Sequence, residues 1–215
     1  MGLFNLISWA DFLGFTLTAA AIVASPGPDT MLILRNSFIG GRRVGLYTVA
    51  GVQLGLLGHT MMAVLGLAAL LAASPIAFKI IAICGAIYLA WLGVQTLRSG
   101  IISGDPAQDG GLKVTAAGAV RDATFTNLLN PKVILLFLAL MPQFVDTSRG
   151  HVSLQMLVFS AWLLILNVIW QSPLALLAEF MRRLLLRPQA QRAVNWLTGA
   201  ILLFFAGLLL YDYIA

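Results

Sequence analysis

Six apolar runs dominate this sequence, at residues 9–35, 44–72, 76–97, 123–145, 152–179 and 194–213. Each is long enough for a helix to cross about 30 Å of hydrocarbon, and the second and fifth leave length for tilt. Hydrophobic residues are 60% of the 215 and charged residues 10%, with a mean hydropathy of +0.94. An aqueous domain could not bury that much apolar surface, so the bilayer must be the solvent. The chain reads as an all-α integral membrane protein and as one transmembrane domain over 1–215. It has no low-complexity stretch and no connection that could hold a soluble domain. No Lys or Arg precedes the first run and Asp11 interrupts it, so this segment is expected to be retained rather than cleaved as a signal peptide. The lone Cys84 excludes an internal disulfide and a CxxC redox pair.

The basic residues are lopsided. Arg35, Arg42 and Arg43 follow the first span, Arg98, Lys113 and Arg121 the third, and Arg182, Arg183, Arg187 and Arg192 the fifth. Only Lys79 and Arg149 fall on the opposite side, and Lys132 lies within a span. The arginine-rich face is therefore expected to be cytoplasmic, with both termini periplasmic or extracellular. In this setting the net charge of +5 orients a membrane protein, and no nucleic-acid partner is expected.

The connection over residues 98–120 carries turn signals at "SGDP" and "QDGG" and divides the chain into halves of about 1–108 and 109–215. Three spans in each half give the halves opposite topology. The expected architecture is six transmembrane helices in a 3+3 inverted repeat. The leading span of each half is interrupted: the first by "SPGPDT" at residues 25–30, the fourth by "NLLNPK" at residues 127–132. Proline removes a backbone donor and pushes the residue before it out of the helical region, so helices 1 and 4 should both break. One proline would be read as a simple kink. Two polar-flanked breaks at corresponding positions point to a transport site between repeats.

The breaks set the chemistry. Ser25 is expected to cap a new helix with Pro26 in its first position, releasing the carbonyls of Ile22 and Ala24. Asn130 is expected to cap another with Pro131 first, releasing the carbonyl of Asn127. New helix N-termini suit a carboxylate, and the released carbonyls suit an ammonium. That combination fits a zwitterion. Asp29 lies about 9 Å along a helix from Arg35, and Lys132 about 16 Å from Arg121, so neither is a loop charge. A charge at such depth costs about 2.5 kcal/mol or more and marks function. Lys132 would help hold the carboxylate, while Asp29 would serve the ammonium or a coupling proton; the alternative is a structural Asp29–Lys132 pair. The substrate-binding candidates are Ser25, Pro26, Gly27, Pro28, Asp29, Asn127, Asn130, Pro131 and Lys132. Gln53 and His59 in the second span and Asn167 and Gln171 in the fifth could line the pathway, although each would equally serve as a bond between helices. His59 titrates in the range proton coupling needs. Gly51, Gly55 and Gly58 form a small-residue stripe that suits close packing and leaves room for a homodimer. Ala82, Ala86, Ala90 and Gly93 give the third span a comparable face.

Three blocks, "ASPGPDTMLILRNSFIGGRRVGL", "GAIYLAWLGVQTLR" and "FTNLLNPKVILLFLALMPQFV", resemble the LysE/RhtB family of amino-acid exporters in the order expected. Together they cover over half the chain. The resemblance implies a bacterial inner-membrane exporter of threonine, homoserine or other small amino acids, driven by proton antiport. It matches Pro26, Gly27, Pro28 and Asp29 to the first family motif, and Asn130, Pro131 and Lys132 to the second. Five-span arrangements have been proposed for some members; the arginine distribution here argues for six.

Two other classes fit less well. A divalent metal-ion exporter would need clustered carboxylates, His or Cys, whereas Asp29, His59 and Cys84 are spread over three spans. An intramembrane enzyme would need a motif such as HExxH, paired carboxylates or a Ser/His/Asp set, and the sequence offers none. The chain is expected to be no enzyme, and no cofactor or metal is assigned to it.

Overall fold

In the computed structural model, residues 6–67, 75–98, 114–178, 180 and 187–214 are described. Lys113, Arg182, Arg183, the middle of the 98–120 connection and the end of the second apolar run lie outside the described residues. Among the described residues every regular element is helical.

Helix α1 covers Trp9–Ala24. Its N-cap Ser8 accepts from the Asp11 amide at 3.1 Å, and the Ser8 hydroxyl donates to Asp11 Oδ2 at 2.5 Å. The acid that interrupts the first apolar run is thus a first-turn carboxylate, placed where a helix start favours negative charge. Helix α2 covers Pro28–Met62 and contains one non-helical residue, Gly41, at φ 76°. The amide of Asn36 donates to the hydroxyl of Thr48 at 3.0 Å, although a straight helix would hold these residues about 18 Å apart. The chain therefore folds back at Gly41, making α2 a hairpin of two helical legs. The left-handed φ is one that glycine adopts without strain. The second leg ends in a π-helical turn, Ala63–Leu67.

Helix α3 is next at Pro75–Arg98, then α4 at Ala116–Leu128. Helix α5, Pro131–Leu135, continues through a π turn at Leu136–Leu140 into a 3₁₀ turn at Met141–Phe144. Helix α6 spans Val152–Leu176 and α7 spans Pro188–Ile214. Two starts precede the apolar runs that predicted them. Thr115 caps α4 by accepting from the Gly118 amide at 3.1 Å, and α7 opens on Pro188, a residue suited to a first helical position. The polar first turn of α7 and the Arg121–Asp122 pair behind the small residues that open α4 hide these starts from a reading based on hydropathy. Within Pro28–Gly66 the leg after Gly41 is long and apolar enough to cross a membrane, as are helix α6 and α4 with α5 to Phe144 taken as one bent unit. These are the helices of a multi-pass membrane protein.

Glycine contacts set the packing. A Cβ on Gly51 would lie 2.4 Å from the Val120 carbonyl oxygen, and one on Gly55 would lie 2.6 Å from Asn127 Oδ1. On Gly58 it would meet Leu128 at 2.9 Å. The stripe on the second leg of α2 is consumed by α4 of the same chain, which corrects the expectation that it leaves room for a second copy. Gly93 of α3 and Gly199 of α7 approach each other's carbonyls in the same way, at 3.1 and 2.9 Å from the would-be Cβ. The fully buried Phe15 of α1 packs on Phe159 of α6 and edge-on against Phe144, with ring centroids 4.7 and 5.6 Å apart. Gln155, also fully buried, pins the turn that precedes α6. It accepts from the Asp146 amide at 2.9 Å and donates to the carbonyls of Asp146 and Gly150 at 2.8 Å.

Candidate functional site

Helix α1 stops at Ser25, whose ψ of 124° takes the chain out of the helix, and α2 restarts behind an extended Gly27. The restart differs from the expected one. Ser25 closes α1 and does not cap α2; the N-cap is Gly27, with Pro28 in the first position. Two proline restrictions explain this. A helix begun at Pro26 would need Gly27 in the helical region immediately before Pro28, a combination that sterics disfavour. Gly27 has no side chain to cap with, so first-turn N–H groups of α2 are left open to a guest.

The second break takes the expected form. The side chain of Asn130 accepts from the Lys132 amide at 3.1 Å, and Pro131 opens α5. A bend of 51° separates α4 from the Pro131–Phe144 segment. The Asn127 carbonyl, expected to be released here, accepts from the Asn130 amide at 3.0 Å and lies 3.2 Å from His59 Nε2.

The two breaks meet. Oδ2 of Asp29 accepts from Nδ2 of Asn127 at 2.9 Å and from Nδ2 of Asn130 at 3.2 Å, across 98 and 101 residues of chain. Lys132 Nζ donates to the Ser25 carbonyl at 2.7 Å, the exposed carbonyl end of α1. That acceptor is Ser25 itself rather than Ile22 or Ala24. Asp29 and Lys132 make no direct ion pair, so a structural pair in the simple sense is not what this arrangement contains. Asp29 is buried, and its Oδ1 has no hydrogen-bond partner.

A small cavity opens at this junction. Its lining includes Ser25, Gly27, Asp29, Thr30, Asn130 and Lys132 from the breaks, and Asn167 and Gln171 from α6. Apolar Ile22, Val23, Leu56, Val133, Leu136 and Leu163 complete the wall. The space for water centres is about 30 Å³, enough for roughly two waters. Gln171 is buried and its Oε1 is also unpartnered.

Of the residues expected to bind substrate, Ser25, Gly27, Asp29, Asn130 and Lys132 line this space, and Asn127 stands behind Asp29. Pro26, Pro28 and Pro131 shape the backbone without lining the cavity. Among the expected pathway residues, Asn167 and Gln171 reach the wall. Gln53 instead donates to Asn167 at 3.0 Å, and His59 lies against the Phe137 ring. Thr30 was missed. Its place in the first turn after "SPGPD" was the available signal. Among the described residues no three His, Cys, Asp or Glu side chains assemble as a metal site, and Cys84 is exposed.

Apolar helices broken at polar, proline-bearing turns that converge on a common cavity place the molecule among membrane transporters. The chain belongs to the LysE type translocator family, whose model matches residues 20–213; it is a transporter and not an enzyme. It is 30% identical to the uncharacterized membrane protein YrhP of Bacillus subtilis (strain 168) over 202 residues, covering 91% of this chain and 96% of that protein. It is 29% identical to the leucine efflux protein of Enterobacter sp. (strain 638), covering 91% and 93% of the two chains. It is also 29% identical to the homoserine/homoserine lactone efflux protein of Salmonella typhi, covering 92% and 95%. No solved structure matches it.

Proposed function

We propose that this protein exports small amino acids or related zwitterions across the bacterial inner membrane by proton antiport. Its six spans would form a 3+3 inverted repeat, with the arginine-rich face cytoplasmic and both termini outside. The observation that carries this reading is the junction of the two breaks: a buried carboxylate, a lysine and an uncapped helix start share one cavity within apolar helices. The substrate carboxylate would sit on the open N–H groups of α2 beside Lys132, because helix N-termini and ammonium groups both favour anions. The substrate ammonium would take Asp29 Oδ1, the Ser25 carbonyl and Gln171 Oε1. The apolar wall would face the side chain. The leucine and homoserine in the names of a leucine efflux and a homoserine/homoserine lactone efflux relative support this substrate class. A cavity with room for about two waters is too small for an amino acid, so loading requires the two breaks to separate.

The test is an amino-acid efflux screen in everted vesicles with lumenal pH tracked. Uptake of one or more small amino acids that discharges a proton gradient is expected. Tolerance to cadmium or manganese without any amino-acid flux would refute the proposal in favour of a metal exporter.

A further inference from the structure

The contacts of Lys132 carry a second conclusion, which rests on the transport reading. An ammonium already occupies the place a substrate ammonium would take. Lys132 Nζ sits 2.7 Å from the Ser25 carbonyl, at the negative end of the α1 dipole. It also lies 3.9 Å from where a Cβ of Gly27 would project, and so beside the open start of α2. The lysine is within one side-chain swing of both the cation end and the anion end of the cavity. Asp29 and Gln171, which line the same cavity, each hold a buried side-chain oxygen without a partner, Oδ1 and Oε1.

We propose that Lys132 is a tethered stand-in for the substrate's ammonium, and that the Asp29–Lys132 couple makes the cavity accept guests of zero net charge. In the empty carrier Lys132 satisfies the Ser25 carbonyl. An arriving zwitterion places its own ammonium there, and Lys132 turns to the guest's carboxylate. Charge balance requires such a guest. Asp29 and Lys132 sum to zero whether the proton sits on one or the other. A zwitterion adds zero, so its arrival leaves the charge of the cavity unchanged. An amine without a carboxylate would add an unbalanced positive charge, and a carboxylic acid anion an unbalanced negative one. Unpaired charge is strongly disfavoured at a site walled by apolar helices. With Lys132 on the Ser25 carbonyl, the empty carrier can close without abandoning that acceptor.

Changing either member of the couple should invert selectivity in a defined direction. The probes are two matched series: leucine, isopentylamine and 4-methylpentanoate; and homoserine, 3-aminopropan-1-ol and 4-hydroxybutanoate. Binding would be measured on the purified full-length protein in nanodiscs. The unaltered protein should bind an amino acid and reject its matched amine and acid. Lys132→Met leaves Asp29 unbalanced and the Ser25 carbonyl vacant. It should tighten binding of the matched amine roughly ten- to a hundredfold, the range expected for one charge-assisted hydrogen bond, while weakening the amino acid. Asp29→Asn should gain the matched acid by a similar factor. Lys132→Arg keeps the charge and should still reject amines. If Lys132→Met is not monodisperse, Lys132→Gln replaces it in the same arm.

Amino-acid binding by the unaltered protein, with no gain of amine in the Lys132 variants and no gain of acid in Asp29→Asn, would overturn the stand-in and leave the transport reading intact. Absence of amino-acid binding in the unaltered protein, together with amine binding in Lys132→Met, would do the reverse.

Discussion

Gly51→Ala tests whether the site depends on two helix backbones lying in contact. The added Cβ would sit 2.4 Å from the Val120 carbonyl oxygen, 2.8 Å from the Ala123 Cβ and 3.0 Å from the Val120 carbonyl carbon. Two of these three are backbone atoms, so no side-chain rotation relieves them, and α4 has to move away by roughly 1 Å to restore ordinary contact. The same shift strains the bond from the Thr124 hydroxyl to the Gly51 carbonyl, now 3.0 Å. Overpacking of this kind costs about 1–3 kcal/mol and the hydrogen bond about 1 kcal/mol. Helix propensity returns about 1 kcal/mol. A net loss of about 1–3 kcal/mol remains, or a fall of roughly 3–10 °C in melting temperature for a chain of this size. The displacement also carries Asn127, one turn beyond Ala123, away from Asp29, so transport should fall further than stability does. Gly207→Ala is the control, because a Cβ there meets nothing within 4 Å; it should leave stability unchanged or slightly raised. Thermal unfolding of both variants in detergent, monitored by size exclusion, reads the difference. A Gly51→Ala protein that melts with the parent and transports normally would refute the backbone-contact argument.

The hydrogen bonding supplies two more expected outcomes. Asn127→Ala removes one of the two amides on Asp29 Oδ2 and should cost about 1.5–3 kcal/mol, as for other bonds to charged groups; unaltered melting and efflux would show that Asn130 alone suffices. In the turn before α6, the Ser148 side chain and then Arg149 hold the Asp146 carboxyl below its usual value of 3.8. The contribution is therefore present above 3.8 and lost only as pH falls through the lower folded value. Hydrogen exchange over residues 146–151, corrected for intrinsic rates, should keep its protection from pH 6 to 4 and lose it below; loss above pH 4.5 would refute the assignment.

The breaks were legible because proline acts locally and polar residues flank both Pro28 and Pro131; Pro173, held inside α6, shows that proline alone does not stop a helix. Asn130 as a cap was legible for the same reason. Ser25 misled, since cap preference favours serine, yet the restriction Pro28 places on Gly27 decides the register. Partner choice lay beyond a single sequence. Asp29 and Lys132 stood out as buried charges, but that Asp29 bonds to Asn127 and Asn130, and Lys132 to the Ser25 carbonyl, depends on how α2 and α4 stack. The glycine stripe announced close packing without saying against what. The reversal at Gly41 falls between the first two apolar runs, where the sequence placed a loop, and the Asn36–Thr48 bond and the close approach of Gly45 to Ser37 fix it.

The spacing of the Asp29 contacts has a consequence for biogenesis. The amides that receive this carboxylate come from residues 127 and 130, so during synthesis Asp29 enters the bilayer long before either exists. Until the ribosome has released the fourth helix, the nascent first half carries an acid without its designated partners and a glycine face without the α4 that covers it. The N-terminal half made alone should therefore be a substrate for membrane quality control, and maturation should turn on the arrival of α4.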